Sequence, residues 1–394
     1  MKWIKKEIEH LPIDIIDGDR GLNYPKLNEF YENEHCLFLN TSNVTLTGFN
    51  FTKCQFINIE KDEKLRKGKL KRNDVVLTTR GTLGNSGFYS ENIVFENIRI
   101  NSGMVLLRSK NTEELDPFYI YYSIRESNFQ TQIANARSGS AQPQLPIGTL
   151  KKLTISKPPL ATQRKIASIL SAYDDLIENN LKRIKLLEEK AFVTYKGIVS
   201  SEKLEKHILS DFGEIITGKT PSTTIADYFG DDVPFIKTPD MHSQIFIEHT
   251  SQNLSELGAK SQEKKFLPPL SLCVSCIGTA GVVGITSKPS QTNQQINSIL
   301  FFNKKHIYYF YALMSQMKEQ LDALGSNGST FTNVNKSKFE NMELFIPNQR
   351  VLKEFADEFE APFNLILTLQ KQNTKLREAR DILLPRLMNG QIEV

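Results

Sequence analysis

Apolar residues recur at alternating steps of four and three along the stretch from Pro158 to Ser200. The periodic positions are Ile166, Leu170, Tyr173, Ile177, Asn180, Ile184, Leu187, Ala191 and Ile198. After the two prolines at its start, this stretch contains no helix breaker until Gly197. A heptad seam of this kind predicts one long helix that packs against a partner helix.

The same rhythm returns between Pro347 and Val394, which makes the C-terminal stretch the expected partner. Its periodic positions are Leu352, Phe355, Phe359, Ile366, Leu369, Asn373, Leu376, Leu383 and Leu387. Pro362 lies inside this pattern. Because proline lacks the backbone N–H, we expect it to kink the helix or to restart it.

Each seam carries one asparagine, Asn180 in the first stretch and Asn373 in the second. A buried amide is costly unless it is hydrogen-bonded, and a second amide opposite it can satisfy it. In an antiparallel pair, the register that joins the two asparagines also sets Ile166 against Leu387. We therefore expect these asparagines to fix the helix register. Two amides that merely face solvent are the alternative.

Short motifs recur at nearly constant offsets through the whole chain. The matched residues are Ile15, Ile16 and Gly18 with Ile215, Ile216 and Gly218; Phe38-Leu39 with Phe235-Ile236; Gly81-Thr82-Leu83-Gly84 with Gly278-Thr279-Ala280-Gly281; Asn101-Ser102 with Asn297-Ser298; and Gly139-Ser140 with Gly328-Ser329. This internal duplication predicts two copies of one unit, each a globular domain followed by a long helix.

The predicted boundaries are 1–157 for the first globular domain, 158–200 for the central long helix, 201–346 for the second domain and 347–394 for the distal long helix. In the first domain a helix is predicted over Asp116 to Ile133. Short β-like runs are found at Ile13–Ile16, Cys36–Leu39, Asp74–Thr79, Met104–Arg108 and Leu153–Ser156. The predicted fold class is α+β, with two similar globular domains joined by two long antiparallel coiled-coil helices.

Composition fits a two-domain protein of 394 residues that works in the cytoplasm. No apolar run approaches the ~18 residues needed to span a membrane, and the N-terminus lacks the apolar centre of a signal peptide. Four cysteines in a chain of this length do not make a disulfide framework.

The segment from Lys61 to Arg72 carries seven basic residues against two acidic ones. A solvated face is the ordinary interpretation of such a run. Here it directly precedes a predicted strand that delivers Arg80 and a glycine-rich turn to the surface. Glycines allow close approach of the backbone to a phosphate, and small polar side chains bond phosphates or base edges. The second copy repeats the turn but has Ile277 in place of Arg80, so we expect no identical catalytic centre in both copies.

Polar loops follow at equivalent positions, Ala136 to Pro146 and Leu324 to Asn335. Ordinary solvent loops are the alternative, but divergent loops on a shared scaffold suit domains that recognise different ligands. The second domain carries a net charge of −2 over residues 201–345, against +4 for residues 1–158. The candidate DNA-contacting residues are Lys69, Lys71, Arg72, Thr79, Arg80, Thr82, Asn85, Ser138, Ser140 and Gln142 in the first domain, and Lys219, Lys237, Thr238, Thr279, Asn327, Ser329 and Thr330 in the second.

Two constellations imitate a catalytic or metal site. Cys273 and Cys276 have zinc-ligand spacing, but the chain has no second close pair, and we expect a buried strand there. Asp240 with Glu263 and Lys265 resembles a nuclease carboxylate set, although the pattern is loose and the first copy lacks it. No metal site and no catalytic residue are predicted.

At this point the chain resembles the DNA-specificity subunits of type I restriction-modification systems. The resemblance is carried by EIITGKTPSTTIADYFGDDVPFIKTPDM, by the two Gly-Thr-x-Gly turns at Gly81 and Gly278, by PPLATQRKIASIL and by the ending LLPRLMNGQIEV. It covers essentially the whole chain, and the order domain, helix, domain, helix makes it specific. The first helix has no counterpart of Pro362, so two-fold symmetry would be approximate.

The resemblance implies a non-catalytic subunit with two target-recognition domains, each reading one half of a split, asymmetric DNA sequence. The helices would set the spacing and dock two methylation subunits, which bring S-adenosylmethionine and flip the target adenine. A restriction subunit would join through them and supply ATP- and magnesium-dependent chemistry. No cofactor is expected in this chain.

Three alternatives remain open. A self-sufficient methyltransferase would need an Asn/Asp-Pro-Pro-aromatic loop and a glycine-rich cofactor motif, which the sequence lacks. A DNA-binding coiled-coil scaffold would explain the helices but not two copies of a domain with divergent loops. A single-chain nuclease would depend on the loose carboxylate set alone.

Overall fold

A computed structural model describes residues 3–137, 143–242, 244–326 and 332–394. The chain divides into two units, the first formed by Met1–Asp175 with Leu376–Val394 and the second by Leu176–Lys375. Each unit combines short strands with helices, which confirms the α+β fold class. The division falls inside the two long helices, so each unit contains one end of both.

The first unit is built mainly from short strands joined by tight turns. Its strands are β1 (Lys5–Glu7), β2 (Ile13–Asp17), β3 (Cys36–Leu39), β4 (Val44–Thr45), β5 (Gly48–Phe49), β6 (Phe56–Ile57), β7 (Val75–Thr78), β8 (Ser86–Phe88), β9 (Ile98–Ile100), β10 (Met104–Ser109) and β11 (Thr154–Ser156). Its short helices are α1 (Ile59–Lys64), α2 (Pro117–Arg125), α3 (Ser127–Ala136) and α4 (Ile147–Lys151). The β7 and β10 strands are buried along most of their length and form the centre of the main sheet.

The first long helix, α5 (Leu160–Ser201), leads from the first unit into the second. The strands that follow are β12 (Leu204–Ile208), β13 (Gly213–Thr217), β14 (Phe229–Gly230), β15 (Val233–Ile236), β16 (Phe246–Ile247), β17 (Asn253–Leu254), β18 (Leu272–Ser275), β19 (Ile277–Gly278), β20 (Val283–Thr286), β21 (Gln291–Thr292), β22 (Ile296–Phe301), β23 (Thr332–Asn333) and β24 (Glu343–Pro347). The helices are α6 (Glu256–Lys260), α7 (Ile307–Met314), α8 (Lys318–Gly325), α9 (Lys336–Glu340) and the second long helix, α10 (Gln349–Met388).

The two units repeat one sheet. Strands β2, β10, β7 and β8 lie in that order in the first unit, and β13, β22, β18 and β20 lie in the same order in the second. The pairing register is shared as well, because Met104 pairs with Thr78 as Ile296 pairs with Ser275. The internal duplication is therefore confirmed.

One of the matched motifs was aligned wrongly. The Asn101 side-chain oxygen accepts the backbone N–H of Gly103 at 2.9 Å, and Asn293 accepts that of Gln295 at 3.2 Å in the same way. Asn293, not Asn297, is therefore the counterpart of Asn101. Asn297 lies inside β22 and donates to the Val334 carbonyl at 3.0 Å. A chance Asn-Ser dipeptide four residues further on misled the alignment.

Of the two effects expected for Pro362, a restart of the helix does not occur. The α10 helix continues through this residue from Gln349 to Met388 and does not restart. Phe359 and Phe363 on either side are fully buried in the core of the second unit. Packing of this apolar face outweighs the single backbone hydrogen bond that proline removes.

The long helices run antiparallel within each unit. In the first unit, Ile166 of α5 and Leu387 of α10 belong to one buried core. In the second unit, the Asn180 amide donates to the Asn373 side-chain oxygen at 2.9 Å, and both residues are buried. The contact that the two seams predict is thus present.

The predicted helix over residues 116–133 is interrupted. Glu126 has an extended backbone with ψ of 141°, which ends α2, and its carboxylate accepts the Phe129 N–H at 3.3 Å, which caps α3. A capping carboxylate therefore divides a pattern whose apolar spacing alone indicated one helix. Across the described ranges, no helix combines the length and the apolar character needed to cross a membrane.

Candidate nucleic-acid interface

The first candidate turn connects β7 to β8 and is closed by backbone hydrogen bonds. The Gly84 N–H donates to the Thr78 carbonyl at 3.1 Å, and the Thr78 N–H donates to the Asn85 carbonyl at 2.9 Å. Inside the turn, the Thr78 hydroxyl donates to the Thr82 carbonyl. Gly81 and Gly84 have φ of +70° and +87°, a region that favours glycine. The shape of the turn therefore depends on its backbone and on one buried hydroxyl.

Arg80 and Thr82 present their side chains at this turn. The Arg80 N–H donates to the Gly103 carbonyl at 3.1 Å, which anchors its backbone. Within the described part of the chain, neither a hydrogen bond nor an ion pair engages its guanidinium, and Thr82 is exposed. Both side chains are available to a ligand.

Two other candidates at this turn hold it in place. Thr79 is buried, and its hydroxyl donates to the Gly103 carbonyl at 3.1 Å. Asn85 donates its side-chain N–H to the Val44 carbonyl at 2.9 Å. These bonds attach the turn to two neighbouring segments of the first domain.

The basic segment before the turn is partly tied to the domain. Lys69 donates to the buried Asp62 carboxylate at 2.5 Å, and Arg99 donates to the other oxygen. Burial raises the pKa of Asp62, but the hydrogen bonds from Lys69 and Arg99 outweigh this effect and bring the pKa below its ordinary value. Arg72 donates to the Ser90 carbonyl at 2.6 Å. Lys71 is exposed.

The second candidate turn reproduces the first. The Gly281 N–H donates to the Ser275 carbonyl at 2.9 Å, and the Ser275 hydroxyl donates to the Thr279 carbonyl at 2.6 Å. Gly278 and Gly281 have φ of +77° and +83°. Thr279 is exposed, and Ile277 occupies the position of Arg80. The two domains therefore present different side chains from the same turn.

The remaining candidates of the second domain differ in availability. Lys219 is exposed, whereas the Lys237 ammonium donates to the Gln252 side-chain oxygen at 2.7 Å. Thr238 is buried, and its hydroxyl has no hydrogen-bond partner among the residues that the structure describes. Only Lys219 of these three has a side chain that extends freely into solvent.

Six predicted residues lie outside the described ranges: Ser138, Ser140, Gln142, Asn327, Ser329 and Thr330. The residues that follow them in the chain are described and pair with the turns. Gln144 forms an antiparallel bridge with Arg80, and Asn333 pairs with Ile277. Both polar loops therefore lead into residues that contact the turns.

The imitations of a catalytic site have structural roles. Cys273 and Cys276 are buried free thiols, and burial raises their pKa to about 12 and about 11. The Asp240 carboxylate accepts the backbone N–H groups of Lys237 at 2.9 Å and Ser251 at 2.8 Å, as a capping group does.

The described residues contain one group of three potential metal ligands within reach of one another, Glu7, Glu9 and His10. Glu7 is the last residue of β1, and Glu9 and His10 follow it at the surface. It includes none of the residues that form the two turns.

Sequence reasoning missed a second turn beside each glycine-rich turn, between β9 and β10 in the first domain and between β21 and β22 in the second. The Gly103 carbonyl accepts the N–H of Thr79 in the first domain at 2.8 Å, and the Gln295 carbonyl accepts that of Cys276 in the second at 2.7 Å. The repeated glycines at 18 and 218 were the available signal. A Cβ on Gly218 would lie 2.1 Å from the Asn293 carbonyl oxygen, so only glycine allows this approach to the β21–β22 turn.

Comparison with known proteins gives consistent results. Residues 14–189 and 201–377 each match the family described as type I restriction modification DNA specificity domain. The chain is 29% identical to the type I restriction enzyme HindI specificity subunit of Haemophilus influenzae, with 95% of this chain and 98% of that one covered. It is 27% identical to the MjaIX specificity subunit of Methanocaldococcus jannaschii, over 70% and 69% of the two chains.

A similar fold is found in the crystal structure of the type I restriction-modification S subunit from M. genitalium. The TM-score is 0.59 at 16% identity, with 98% of this chain and 96% of that one covered.

Proposed function

Because the chain belongs to the type I restriction-modification DNA specificity family, we propose that it reads a split, asymmetric DNA sequence, one half with each domain. The observation that supports this proposal is the repeated turn with different presented side chains. Two identical turns would favour two identical half-sites. Arg80 in one domain and Ile277 in the other favour two different ones.

The chemistry of Arg80 suits a guanine edge. Its guanidinium is a planar fork of donors, and guanine presents two acceptors, O6 and N7, in the major groove. Ile277 has no donor and offers only an apolar contact, such as one with a thymine methyl group. The exposed lysines Lys71 and Lys219 suit phosphate contacts, which give affinity rather than sequence preference.

The long helices supply the second part of the proposed function. We propose that they set the spacing between the half-sites and dock two methylation subunits, with a restriction subunit joining through them. S-adenosylmethionine, ATP and magnesium would then bind to the partners, and this chain would be non-catalytic. A cytoplasmic location follows from a role on chromosomal DNA.

Mapping of methylated bases in the host genome tests this function. With the wild-type gene we expect one gene-dependent, split and asymmetric methylated sequence. Arg80→Ala should relax one position of one half-site, at a cost of about 1–3 kcal/mol. If Arg80 instead bonds phosphate, methylation should fall at all sites together with the sequence unchanged.

Lys304→Ala is the control, since it removes one positive charge from an exposed position of the second domain, outside both long helices and the two turns. It should leave the methylated sequence unaltered. Absence of gene-dependent methylation, or nuclease or methyltransferase activity of the chain purified alone, would overturn the proposal.

A further inference from the structure

The β21–β22 turn, formed by Asn293–Ile296, displays Gln294 at its tip. The Asn293 side-chain oxygen accepts the Gln295 N–H at 3.2 Å, and the Ile296 N–H donates to the Asn293 carbonyl at 3.2 Å. Asn293 is buried, whereas Gln294 is exposed. The β21–β22 turn is thus held by one backbone hydrogen bond and by the Asn293 side chain, and it presents the Gln294 side chain to solvent.

The β21–β22 turn and the glycine-rich turn of the second domain form one surface. The Gln295 carbonyl accepts the N–H of Cys276, the first residue after β18. A Cβ on Gly278 would lie 4.0 Å from the Gln295 side-chain nitrogen. A ligand that reaches the exposed Thr279 of the glycine-rich turn therefore also comes near the β21–β22 turn.

A third segment fixes the Gln294 side chain. The Lys219 N–H donates to the Thr292 carbonyl at 2.9 Å, which holds the segment at Lys219 beside the β21–β22 turn. The Thr220 hydroxyl then donates to the Gln294 side-chain oxygen at 2.6 Å. No other hydrogen bond of this amide is found among the described residues. One lone pair of the oxygen and both N–H groups remain available.

An oriented glutamine amide matches the major-groove edge of adenine. Its oxygen accepts from the adenine N6 amino group and its N–H donates to N7, which together distinguish adenine from the other bases. The first domain has no amide at the corresponding place, where Arg20 donates to the Ser102 carbonyl at 3.3 Å. The two domains therefore differ at the turn before β10 and β22, as they do at the glycine-rich turn.

We propose that Gln294 reads an adenine in the half-site of the second domain and that Thr220 is a positioning residue, which holds the amide in the reading orientation. This inference rests on the proposed function and deepens it. It gives the second domain a side chain that can form hydrogen bonds with a base, which the apolar Ile277 cannot do.

Selection from a randomised pool of duplex DNA tests the assignment. The full chain is co-purified with a methylation subunit from its host, and bound duplexes are sequenced. We expect Gln294→Ala to reduce the preference for one A·T pair in one half-site by about 5- to 150-fold, the fold-change equivalent of about 1–3 kcal/mol. Gln294→Glu should shift that position toward cytosine, since a carboxylate accepts from its N4 amino group.

The positioning role of Thr220 has its own pair of variants. Thr220→Val keeps the side-chain shape but cannot donate, so we expect a several-fold weaker preference at the same position only. Thr220→Ser keeps the hydroxyl and should restore the preference. A lower melting temperature with an unchanged preference in Thr220→Val would show a merely structural role and would overturn this part.

The outcomes separate the inference from the function on which it rests. Gln55→Ala removes an exposed glutamine from the first domain, outside both long helices, and should preserve the whole enriched sequence. If the wild-type complex enriches a split sequence and the Gln294 variants enrich the same one, the assignment of Gln294 is overturned while the proposed function stands. If the wild-type complex enriches no sequence, the proposed function itself fails.

Discussion

Replacement of Asn180 by leucine tests whether the buried asparagine pair couples the two long helices. Asn180 is 7% exposed and Asn373 is 1% exposed, so water does not compensate for a lost hydrogen bond. In Asn180→Leu, the Asn373 side-chain oxygen loses its donor, while its amide nitrogen keeps the Ile177 carbonyl at 3.4 Å. One unsatisfied buried acceptor costs about 1–3 kcal/mol. We expect the second unit to lose stability by this amount.

The double variant Asn180→Leu with Asn373→Leu should recover much of that loss. Two leucines of similar volume replace two amides, and no buried polar group remains unsatisfied. The coupling energy of the cycle should then be about 0.5–3 kcal/mol, as for residues in direct contact. Asn179→Leu is the matched control, because it makes the same chemical change at the adjacent, exposed position. It should alter stability by no more than about 0.5 kcal/mol.

Chemical denaturation followed by circular dichroism measures these free energies of unfolding. Two units can unfold in separate transitions, so hydrogen exchange of residues 176–201 assigns the change to the second unit. Additive effects of the two single substitutions would refute the coupling. A loss in Asn179→Leu as large as that in Asn180→Leu would refute the role of burial.

Two further predictions concern the helices. Burial raises the pKa of Glu188, against the lowering effect of its hydrogen bond from the Tyr311 hydroxyl. The folded state therefore binds the proton more tightly, and this group's contribution to stability is lost as pH rises from the ordinary carboxyl pKa through the raised one. Glu188→Gln should remove this part of the fall in melting temperature as pH rises above the ordinary carboxyl pKa, and an unchanged slope would contradict the assignment. Insertion of one heptad, roughly 10 Å of helix, into both α5 and α10 should lengthen the unread spacer by about three base pairs, as genomic methylation mapping would show; an unchanged spacer would mean that the helices do not measure the DNA.

Elements with a long periodic pattern were predictable from the sequence. The heptad seams predicted both long helices, and their single asparagines predicted the contact between Asn180 and Asn373. The duplicated Gly-Thr-x-Gly motif predicted two equivalent turns, because positive φ at Gly81 and Gly278 leaves a recognisable residue requirement. In each case one physical constraint acts on residues close together in the chain.

Features that depend on distant segments were not predictable. Nothing near Arg72 in the sequence shows that its guanidinium bonds the Ser90 carbonyl, 18 residues away. Glu126 ends one helix and caps the next, although the apolar spacing continues across it. Gln294 becomes a candidate only because the fold brings Thr220, 74 residues away in the chain, within hydrogen-bond distance of it.

In both turns, the groups that hold the backbone are different from the side chains presented to solvent. Under the proposed function, this separation bears on how target preference evolves. The bonds that close the two turns come from the backbone and from the hydroxyls of Thr78 and Ser275, while the side chains of Arg80 and Ile277 contribute none of them. A substitution at a presented position therefore changes stability by only about 0.5 kcal/mol, as at other surface sites. If the turns read DNA as proposed, selection can alter the recognised sequence by single steps, with each intermediate still folded.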